Sequence, residues 1–203
     1  MEIRFAENKD TAGILALLKQ VGALHHSIRP DLFREKACKY GPSQLFSLME
    51  SSDTPVFVAV EGEKVLGYCF CQIHITEKDP VLCDRECLYI DDLCVLDAYQ
   101  GKGIGTKLLN CLEKFLELQG YRKVYAIITA ENTVSLDFHR KNGYLCTATF
   151  PNCGYKFGRW LGVTWMEKEL PFVPFSGFFP VPFPVLMQTD EKILHNLDTF
   201  SLP

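Results

Sequence analysis

The stretch that decides the fold is DDLCVLDAYQGKGIGTKLLNCLEKFLELQG, residues 91–120. It begins with an acidic pair at the end of an apolar run, continues through a turn with glycines at 101, 103 and 105, and ends in a long amphipathic segment. We predict a helix from Gly103 to Gln119, because the apolar residues of this segment recur on one helical face. Gly120 is expected to end that helix. The glycines therefore lie between a strand and a helix.

The glycine turn is typical of an anion-binding site. The first N–H groups of a helix have no partner within it, and the helix dipole adds partial positive charge at the same end. Glycine lets a ligand approach the backbone closely, and Lys102 adds a cation. A phosphate or pyrophosphate suits such a turn. The glycine spacing GxGxG differs both from the phosphate-binding loop GxxxxGK[ST] and from the dinucleotide fingerprint GxGxxG. The alternative, that the glycines only make a tight turn, stays open.

The rest of the chain shows strand and helix patterns on both sides of this stretch. Strands are predicted at EIRFA, TPVFVAV, VLGYCFCQIHI, ECLYIDDLCV, KVYAIIT, YLCTATF and VTWMEKEL. Further helices are predicted from Asp10 or Thr11 to about Val21, from Ser43 (as the cap) to Met49, and from Thr133 to Asn142. The order β-α-α-β-β-β-α-β-α-β-β predicts an α/β (α+β) fold, a mixed sheet with helices on both faces.

The composition favours an ordinary globular domain. The chain has 203 residues, of which 47% are hydrophobic and 23% charged, and its formal net charge is −4. That charge gives no support for a nucleic-acid binder, and no apolar run reaches the roughly 18 residues that a membrane span needs. We predict one domain over residues 1–170. Residues 171–203 are a Pro/Phe-rich extension, expected to pack on the domain or on a partner subunit, because proline excludes regular helix and central strand.

Nine cysteines are scattered along the chain, several of them within apolar runs. The N-terminus MEIRFAENKD is charged from residue 2 and does not resemble a secretory leader. We therefore predict a cytoplasmic protein with free, mostly buried thiols. Cys83-x3-Cys87 is the spacing that could begin a metal site, but no second pair stands at zinc-like spacing, and no metal is predicted.

Two motifs together resemble the GNAT superfamily of N-acetyltransferases. The first is Q-x-x-G-x-G at residues 100–105, which follows the apolar strand residues LCV. The second is N-x2-S-x2-F-H-x3-G-Y at residues 132–144, close to the superfamily's N-x2-A-x2-F-Y-x3-G-F. The resemblance covers about residues 1 to 170. It implies a mostly antiparallel sheet of six to seven strands that splays between strands 4 and 5, and an acyltransferase whose cofactor is acetyl-CoA.

The resemblance also assigns cofactor roles to positions of this sequence. Residues 100–106 would hold the pyrophosphate through backbone N–H groups, Leu93 and Val95 would offer main-chain bonds to the pantetheine arm, and Asn132 would bond the pantetheine side. The implied cofactor-binding residues are Leu93, Cys94, Val95, Gln100, Gly101, Lys102, Gly103, Ile104, Gly105, Thr106, Asn132 and Ser135. Because these contacts come mainly from the backbone, side-chain changes at Ile104 or Thr106 are expected to matter less than a bulky residue at Gly103 or Gly105.

Acyl transfer to an amine needs a base and an acid, since the amine must lose a proton and the CoA thiolate must gain one. Asp91 and Asp92 are candidates for the base or the ammonium-binding group, and strand alternation lets only one of them face the acceptor directly. The sequence does not decide which of the two faces the acceptor. It also leaves open that both are solvated or form salt bridges and have no catalytic role. The superfamily often places a tyrosine acid after the phenylalanine of its second motif. Here His139 stands there and can serve as the acid near neutral pH; a satisfied surface or core histidine is the alternative.

The acceptor is predicted to be a primary amine of a small molecule: an amino-acid-like compound, a polyamine or an antibiotic. Candidate acceptor ligands are Asp92 together with His25 and Arg29, which follow the first helix. Arg29 could hold a carboxylate, although a salt bridge with Asp31 is at least as good an explanation.

The last hairpin carries a further resemblance. Residues 154–160, GYKFGRW, resemble the phosphinothricin-type branch of the superfamily, which acetylates amino-acid-like amines, but that branch usually has Asp where Gly162 stands. The alternatives to a small-molecule enzyme are a protein or peptide N-acetyltransferase and a non-catalytic acyl-CoA sensor. Dimers are common in the superfamily, and the aromatic extension favours a homodimer here.

Overall fold

The computed structural model describes residues 1–28, 34–36, 38–51, 53–75, 86–119, 121–156 and 158–171. The predictions for Arg29, Cys83, Gly120 and the Pro/Phe-rich extension beyond residue 171 lie outside these residues, as do those for the side chains of His25 and Cys87.

The element order matches the order predicted from the sequence. The elements are β1 (Glu2–Phe5), α1 (Thr11–Ile28), α2 (Pro42–Glu50), β2 (Val56–Glu61), β3 (Lys64–Ile75), β4 (Glu86–Val95), α3 (Ile104–Leu118), β5 (Lys123–Thr129), α4 (Thr133–Lys141), β6 (Leu145–Lys156) and β7 (Arg159–Glu169). Short 3-10 turns at Asn8–Asp10 and Asp97–Tyr99 precede α1 and the glycine turn.

The seven strands form a sheet in the order β1-β2-β3-β4-β5-β7-β6. The pairs β1–β2, β2–β3, β5–β7 and β6–β7 are antiparallel, and β4–β5 is parallel. The parallel register runs from Leu88–Val124 to Ile90–Ala126 and ends there, although β4 continues to Val95. The predicted fold class, a mixed and mostly antiparallel sheet with helices around it, is confirmed.

The described residues group into two compact units. Among the described residues, the first contains Met1–Cys71 and Asp92–Leu112, and the second contains Gln72–Asp91 and residues 113–171. In the first unit α1 and α2 cover one face of β2 and β3. The core of this face consists of Ile14, Leu17, Leu18, Leu45, Val56, Val58, Val60, Val65, Tyr68, Phe70 and Cys94. The first half of α3 packs on the opposite face, where the fully buried Leu108 lies beside Gly67.

The second unit is built on β5, β7 and β6. Every second residue of β5 is buried, as are Met166 of β7 and Leu136 of α4. An ion pair between Lys168 Nζ and Glu113 Oε2, 2.6 Å long, joins β7 to the second half of α3. The other face of the strands carries an aromatic cluster in which the Tyr89 and Tyr125 rings stack at 5.5 Å and the Trp165 ring meets Tyr89 edge-on at 5.7 Å.

Some element boundaries differ from the prediction. α1 runs to Ile28 rather than to Val21; Leu24 and Ile28 continue the helical spacing of Val21, so the prediction ended this helix too early. α2 begins at Pro42 with Gly41 as its cap, not with Ser43, since proline at the first helical position needs no N–H partner. β6 and β7 also include residues 151–156 and 159–162, where no strand was predicted.

Asp10 does not cap α1 in the way that its position suggested. Its carboxylate accepts the backbone N–H of Glu7 at 2.8 Å and two bonds from the Arg4 guanidinium, at 2.6 and 2.9 Å. The Asp10 side chain is 4% exposed and the Arg4 side chain 17%. Burial by itself would raise the pKa of Asp10, but the Arg4 hydrogen bonds outweigh it and hold that pKa below its usual value. This pair fixes β1 against the start of α1.

Gly67 allows the end of β4 to lie close to β3. A Cβ at this position would be 2.9 Å from the Cys94 carbonyl oxygen and 3.3 Å from the Val95 and Leu108 side chains. A backbone hydrogen bond from Leu96 N–H to the Leu66 carbonyl, 2.8 Å long, holds the chain in place as it leaves β4. The absence of a side chain at residue 67 therefore helps to position the turn that follows.

Candidate functional site

The predicted phosphate-binding turn lies between the end of β4 and the start of α3, within the first unit. The first intrahelical bond of α3 runs from Lys107 N–H to the Gly103 carbonyl, at 3.0 Å. The N–H groups of Ile104, Gly105 and Thr106 precede it and so have no acceptor within the helix. Gly101 and Gly103 have φ values of 73° and 80°, which other residues rarely adopt, and no atom of the described residues lies within 4 Å of where their Cβ atoms would be. The turn has the open, donor-rich form that an anion requires.

Ile104 also anchors this turn. Its side chain is only 4% exposed, in contact with the interior rather than with solvent. Removing this buried side chain is expected to cost about 2–5 kcal/mol of stability. The expectation that changes at Ile104 affect cofactor binding less than a bulky residue at Gly103 or Gly105 stays a prediction.

Two lysines contact Tyr99, which lies directly before the glycine turn. Lys102 Nζ lies 4.6 Å from the centre of the Tyr99 ring, and Lys64 Nζ lies 4.7 Å from it and donates a hydrogen bond to the Tyr99 hydroxyl at 3.2 Å. Lys102 was predicted from the sequence. Lys64 was missed because it comes from the β2–β3 hairpin, and no local pattern links it to the glycine turn. Together they add positive charge beside the predicted pyrophosphate position.

The carbonyl of Val95 is already engaged by the protein. It accepts hydrogen bonds from Gln20 Nε2 and from Gln100 Nε2, both at 3.3 Å. The Gln20 side-chain oxygen in turn accepts the backbone N–H of Asp97 at 3.2 Å. Gln100 was predicted as a residue of the turn, whereas Gln20 of α1 was not predicted at all.

The two candidate carboxylates differ in their surroundings. The Tyr68 hydroxyl donates a hydrogen bond of 2.9 Å to Asp92 Oδ2, and Tyr68 itself is fully buried. Burial first, and then the negative charge of Asp92, raise the pKa of Tyr68 far above its usual value, so the hydroxyl remains a donor. Asp92 is half-buried and alternates to the same face of β4 as Cys94, whereas Asp91 is exposed and points to the other face.

The thiol of Cys94 is not a nucleophile at neutral pH. Burial, followed by the charges of Asp92 and Asp97, raises the pKa of Cys94 to about 12, which keeps it protonated. The seven described cysteines carry thiols rather than disulfides, as predicted. The expectation that most are buried holds for Cys69, Cys71 and Cys94 but is wrong for Cys146 and Cys153, which are exposed.

The second motif forms the start and the body of α4, within the second unit. Asn132 caps this helix, because its Oδ1 accepts the backbone N–H of Ser135 at 3.1 Å. The Asn132 side-chain oxygen is thus used by the helix, and its amide N–H groups are what it can offer a ligand. Ser135 lies one turn before His139, and its carbonyl is 2.8 Å from His139 Nδ1.

His139 is buried and neutral in form. Since a carbonyl oxygen only accepts, Nδ1 must carry the proton in the bond to Ser135, which leaves Nε2 as the atom that titrates. Nε2 is buried with no hydrogen-bond partner among the described residues, and the ring packs edge-on against Tyr144 at 5.1 Å. Burial lowers the pKa of His139. The acid role predicted for His139 would require a second proton on Nε2, which this environment disfavours.

The burial of His139 predicts a pH-dependent stability. An unfolded His139 binds a proton below about pH 6.5, whereas the folded one resists it, so the free energy of unfolding falls as pH drops below that value, by up to about 1.4 kcal/mol per pH unit. We expect His139→Gln to lose this dependence between pH 7.5 and 5.5, measured by urea unfolding. His26→Gln serves as the control and should keep it. Equal slopes for His139→Gln and the wild type would contradict the prediction.

Gly162 lies in a tight part of the last hairpin. A Cβ there would lie 3.1 Å from the Ala130 Cβ and 3.3 Å from the Phe150 carbonyl, so an aspartate at that position would require these neighbours to shift by a few tenths of an ångström. Tyr155 and Trp160 pack edge-on at 5.3 Å and remain 62% and 58% exposed.

Two other features are absent from the described part of the chain. Over those residues, no three or more His, Cys, Asp or Glu side chains are placed to hold a metal ion. Among the same residues, no helix has the length and apolar character required to cross a membrane.

A donor-rich glycine turn at the start of a helix, after the fourth strand of a seven-stranded sheet, defines the class of acyl-CoA-dependent transferases built on this sheet. Residues 22–144 match the Acetyltransferase (GNAT) family, and the chain belongs to that family. It is an N-acetyltransferase that uses acetyl-CoA.

Several known proteins are similar to this chain. An L-methionine sulfoximine/L-methionine sulfone acetyltransferase of Salmonella typhimurium is 41% identical over 181 residues, which cover 84% of this chain and 95% of that protein. A phosphinothricin N-acetyltransferase of Streptomyces viridochromogenes is 36% identical over 78 residues, 37% of this chain and 43% of that one. The solved structure of yncA from Salmonella typhimurium with its cofactor acetyl-CoA has a TM-score of 0.65 at 28% identity and covers 87% of this chain and 99% of that chain.

Proposed function

We propose that the chain transfers the acetyl group of acetyl-CoA to the primary amine of a small, amino-acid-like molecule. The observation that carries the proposal is the 41% identity with a methionine sulfoximine/methionine sulfone acetyltransferase, which extends over 95% of that protein. A match over almost the whole length includes the acceptor-binding parts as well as the cofactor motifs. The likeness to a phosphinothricin N-acetyltransferase supports the same class of acceptor.

The cofactor phosphates are assigned to the turn between β4 and α3. The N–H groups at the start of α3, the positive φ of Gly101 and Gly103, and the cations of Lys64 and Lys102 support this assignment. Because the Val95 carbonyl is occupied by two glutamine amides, Val95 offers its N–H rather than its carbonyl to the pantetheine arm. The predicted cofactor roles of Leu93, Cys94, Asn132 and Ser135 stay predictions.

Asp92 is assigned the role of base or ammonium-binding group. The Tyr68 hydroxyl orients its carboxylate, whereas Asp91 is exposed and lies on the opposite face of β4. In the reaction the amine nitrogen attacks the thioester carbon, a C–N bond forms and the C–S bond breaks. The proton of the amine passes to Asp92, directly or through water, and the CoA thiolate leaves and takes up a proton. No acetyl-enzyme is needed, in keeping with the protonated thiol of Cys94.

The remaining finer predictions concern the acid, the acceptor ligands, the assembly and the location. His139 as the acid, His25 and Arg29 as acceptor ligands, a homodimer and a cytoplasmic location all stay predictions. The exposed pair Tyr155 and Trp160 on the β6–β7 hairpin supports a homodimer. Sedimentation equilibrium tests it: a monomer mass at micromolar concentration would rule the homodimer out.

The proposed function is tested with the full chain, acetyl-CoA and a panel of amines. The panel contains L-methionine sulfoximine, L-methionine sulfone, phosphinothricin, spermidine, an aminoglycoside and a short peptide with a free N-terminus. Release of CoA is followed by chromatography rather than by a thiol dye, because the chain carries nine cysteines of its own. The N-acetylated form of each amine is the blank, since it has no nucleophile.

We expect kcat/KM for the amino-acid-like acceptors to exceed that for spermidine by about 100-fold or more, which is roughly 2.7 kcal/mol of transition-state binding. Preference for the peptide would replace the proposal with a protein N-acetyltransferase. Binding of acetyl-CoA with no turnover on any amine would replace it with the sensor.

A further inference from the structure

Gln20 of α1 joins a helix to a turn that is far away in sequence. Its Nε2 donates to the Val95 carbonyl at 3.3 Å, across 75 residues, and its Oε1 accepts the backbone N–H of Asp97 at 3.2 Å, across 77 residues. The Gln20 side chain thus donates to the residue before Leu96 and accepts from the residue after it. These are the residues at which the chain leaves β4 and enters the turn.

Gln100 closes the same segment from the other end. Its Nε2 donates to the Val95 carbonyl at 3.3 Å and to Asp97 Oδ1 at 3.0 Å, and its backbone N–H bonds to the Asp97 carbonyl at 3.2 Å. A carbonyl oxygen has two lone pairs, and both of those on Val95 are engaged by these two amides. The segment between Val95 and Gln100 is therefore held by side chains from α1 and from the turn itself.

The position of this segment determines where the N–H groups of α3 point. Only Gly101, Lys102 and Gly103 separate Gln100 from the first residue of α3, and two of these three are glycines with left-handed φ values. Glycines give the turn freedom of conformation, at an entropic cost when a ligand fixes it. A clamp on the preceding residues reduces that cost, because less of the turn has to be ordered when the anion binds.

We propose that Gln20 is a positioning residue that sets the affinity for acetyl-CoA by holding the segment from Val95 to Asp97 in its binding form. Gln20 acts through the backbone of that segment and not by contact with the reacting atoms. The proposal rests on the assignment of the cofactor phosphates to the turn that begins α3. It predicts a loss of affinity without a loss of chemistry.

The test measures the Kd of CoA by isothermal titration, and kcat and KM for acetyl-CoA, on the full chain and on Gln20→Leu. Leucine has a similar volume and removes both hydrogen bonds. Gln44→Leu is the matched control, since Gln44 in α2 also bonds a backbone N–H, that of Gly41 at 2.9 Å, in another part of the first unit. We expect Gln20→Leu to raise the Kd and the KM for the cofactor about tenfold, which is about 1.4 kcal/mol of binding, and to change kcat by less than about twofold. Gln44→Leu should leave the Kd as in the wild type.

Two results would overturn the inference. One is a folded Gln20→Leu that binds CoA as the wild type does; the other is a fall in kcat as large as the rise in KM. Gly103→Asp tests the cofactor assignment separately from the role of Gln20. A carboxylate side chain at the turn should abolish CoA binding if the phosphates bind there. If Gly103→Asp binds CoA normally, the assignment fails and the inference with it.

A second measurement applies if Gln20→Leu does not fold. In the cofactor-free wild type, the amide hydrogen of Asp97 should exchange at least about tenfold more slowly than an unprotected amide, because Gln20 accepts it. Exchange of Asp97 at the rate of an unprotected amide, measured by NMR, would overturn the proposal without any variant.

Discussion

Asp92→Asn is expected to lower kcat by about 100-fold or more, with the Kd of CoA unchanged. Removal of a positioned general base typically costs 10²- to 10⁴-fold. Asparagine has the shape of aspartate, and its side-chain oxygen can still accept the Tyr68 hydroxyl that now lies 2.9 Å from Asp92 Oδ2. The variant therefore removes the basic group and the negative charge but preserves the packing. Initial rates at saturating acetyl-CoA and acceptor give kcat.

Asp91→Asn is the matched control for this prediction. Asp91 is the neighbouring carboxylate on the same strand, exposed and on the opposite face, so its loss should change kcat by less than about threefold. A larger loss in Asp91→Asn than in Asp92→Asn would mean that Asp91 is the residue that faces the acceptor. Tyr68→Phe should give an intermediate loss, because it leaves the carboxylate in place without the hydroxyl that orients it.

Arg4→Met is expected to reduce the free energy of unfolding by about 3–5 kcal/mol. Breaking a buried ion pair by removing one partner leaves the other charge buried without compensation, and that is the costly case. Asp10 would keep its bond from Glu7 N–H but lose both bonds from Arg4, while its side chain is only 4% exposed. Urea unfolding at pH 7 measures the change.

Two controls test whether the loss of stability comes from the uncompensated charge of Asp10 and not simply from removing an arginine. Adding Asp10→Asn to Arg4→Met removes the stranded charge and should recover more than half of the loss. Arg140→Met removes an exposed pair, Arg140 to Asp137 at 2.8 Å, and should cost less than about 1 kcal/mol. Similar losses from Arg4→Met and Arg140→Met would contradict the account of the Asp10 site.

The Asp10 site also has a pH dependence whose direction follows from its pKa. Because the folded-state pKa of Asp10 lies below the ordinary value of 3.8, the pair contributes fully above that value, and its contribution is lost as pH falls through the lower, folded-state pKa. His139 acts at higher pH, since its loss of stability starts below about pH 6.5. The two groups therefore destabilise the fold in successive acid ranges.

The sequence was most informative where a local pattern was complete. β4 and β5 were predicted with the bounds that the structure has, because each is rich in apolar, aromatic and β-branched residues and lies between charged or turn residues. The glycine turn and the start of α4 at Thr133 were predicted for the same reason, as each is encoded within a few residues, whereas the cap by Asn132 was not predicted. α1 was predicted too short although Leu24 and Ile28 continue the apolar spacing of Val21, because the two histidines and the serine between them weaken the pattern.

The parts of the site that were missed are contacts between distant segments. Gln20, Lys64 and Tyr68 each meet the β4–α3 region through a partner at least 24 residues away, and nothing near them in sequence indicates it. Their roles depend on how α1 and β3 pack against β4, which the sequence pattern does not encode. The choice between Asp91 and Asp92 was open for the same reason, since it needed the Tyr68 hydroxyl to be placed.

The measurement that tests the central claim most directly is mass spectrometry of one reaction in which several amines compete. L-methionine sulfone, spermidine and a peptide with a free N-terminus are present at equal concentration with the full chain and limiting acetyl-CoA. We predict that the acetyl group is recovered almost entirely on the α-amine of the sulfone, in a quantity equal to the CoA released. Acetyl recovered mainly on the peptide or on spermidine would contradict the proposed acceptor. Acetyl-CoA left intact in the presence of all three amines would contradict small-molecule acetyl transfer as this chain's activity.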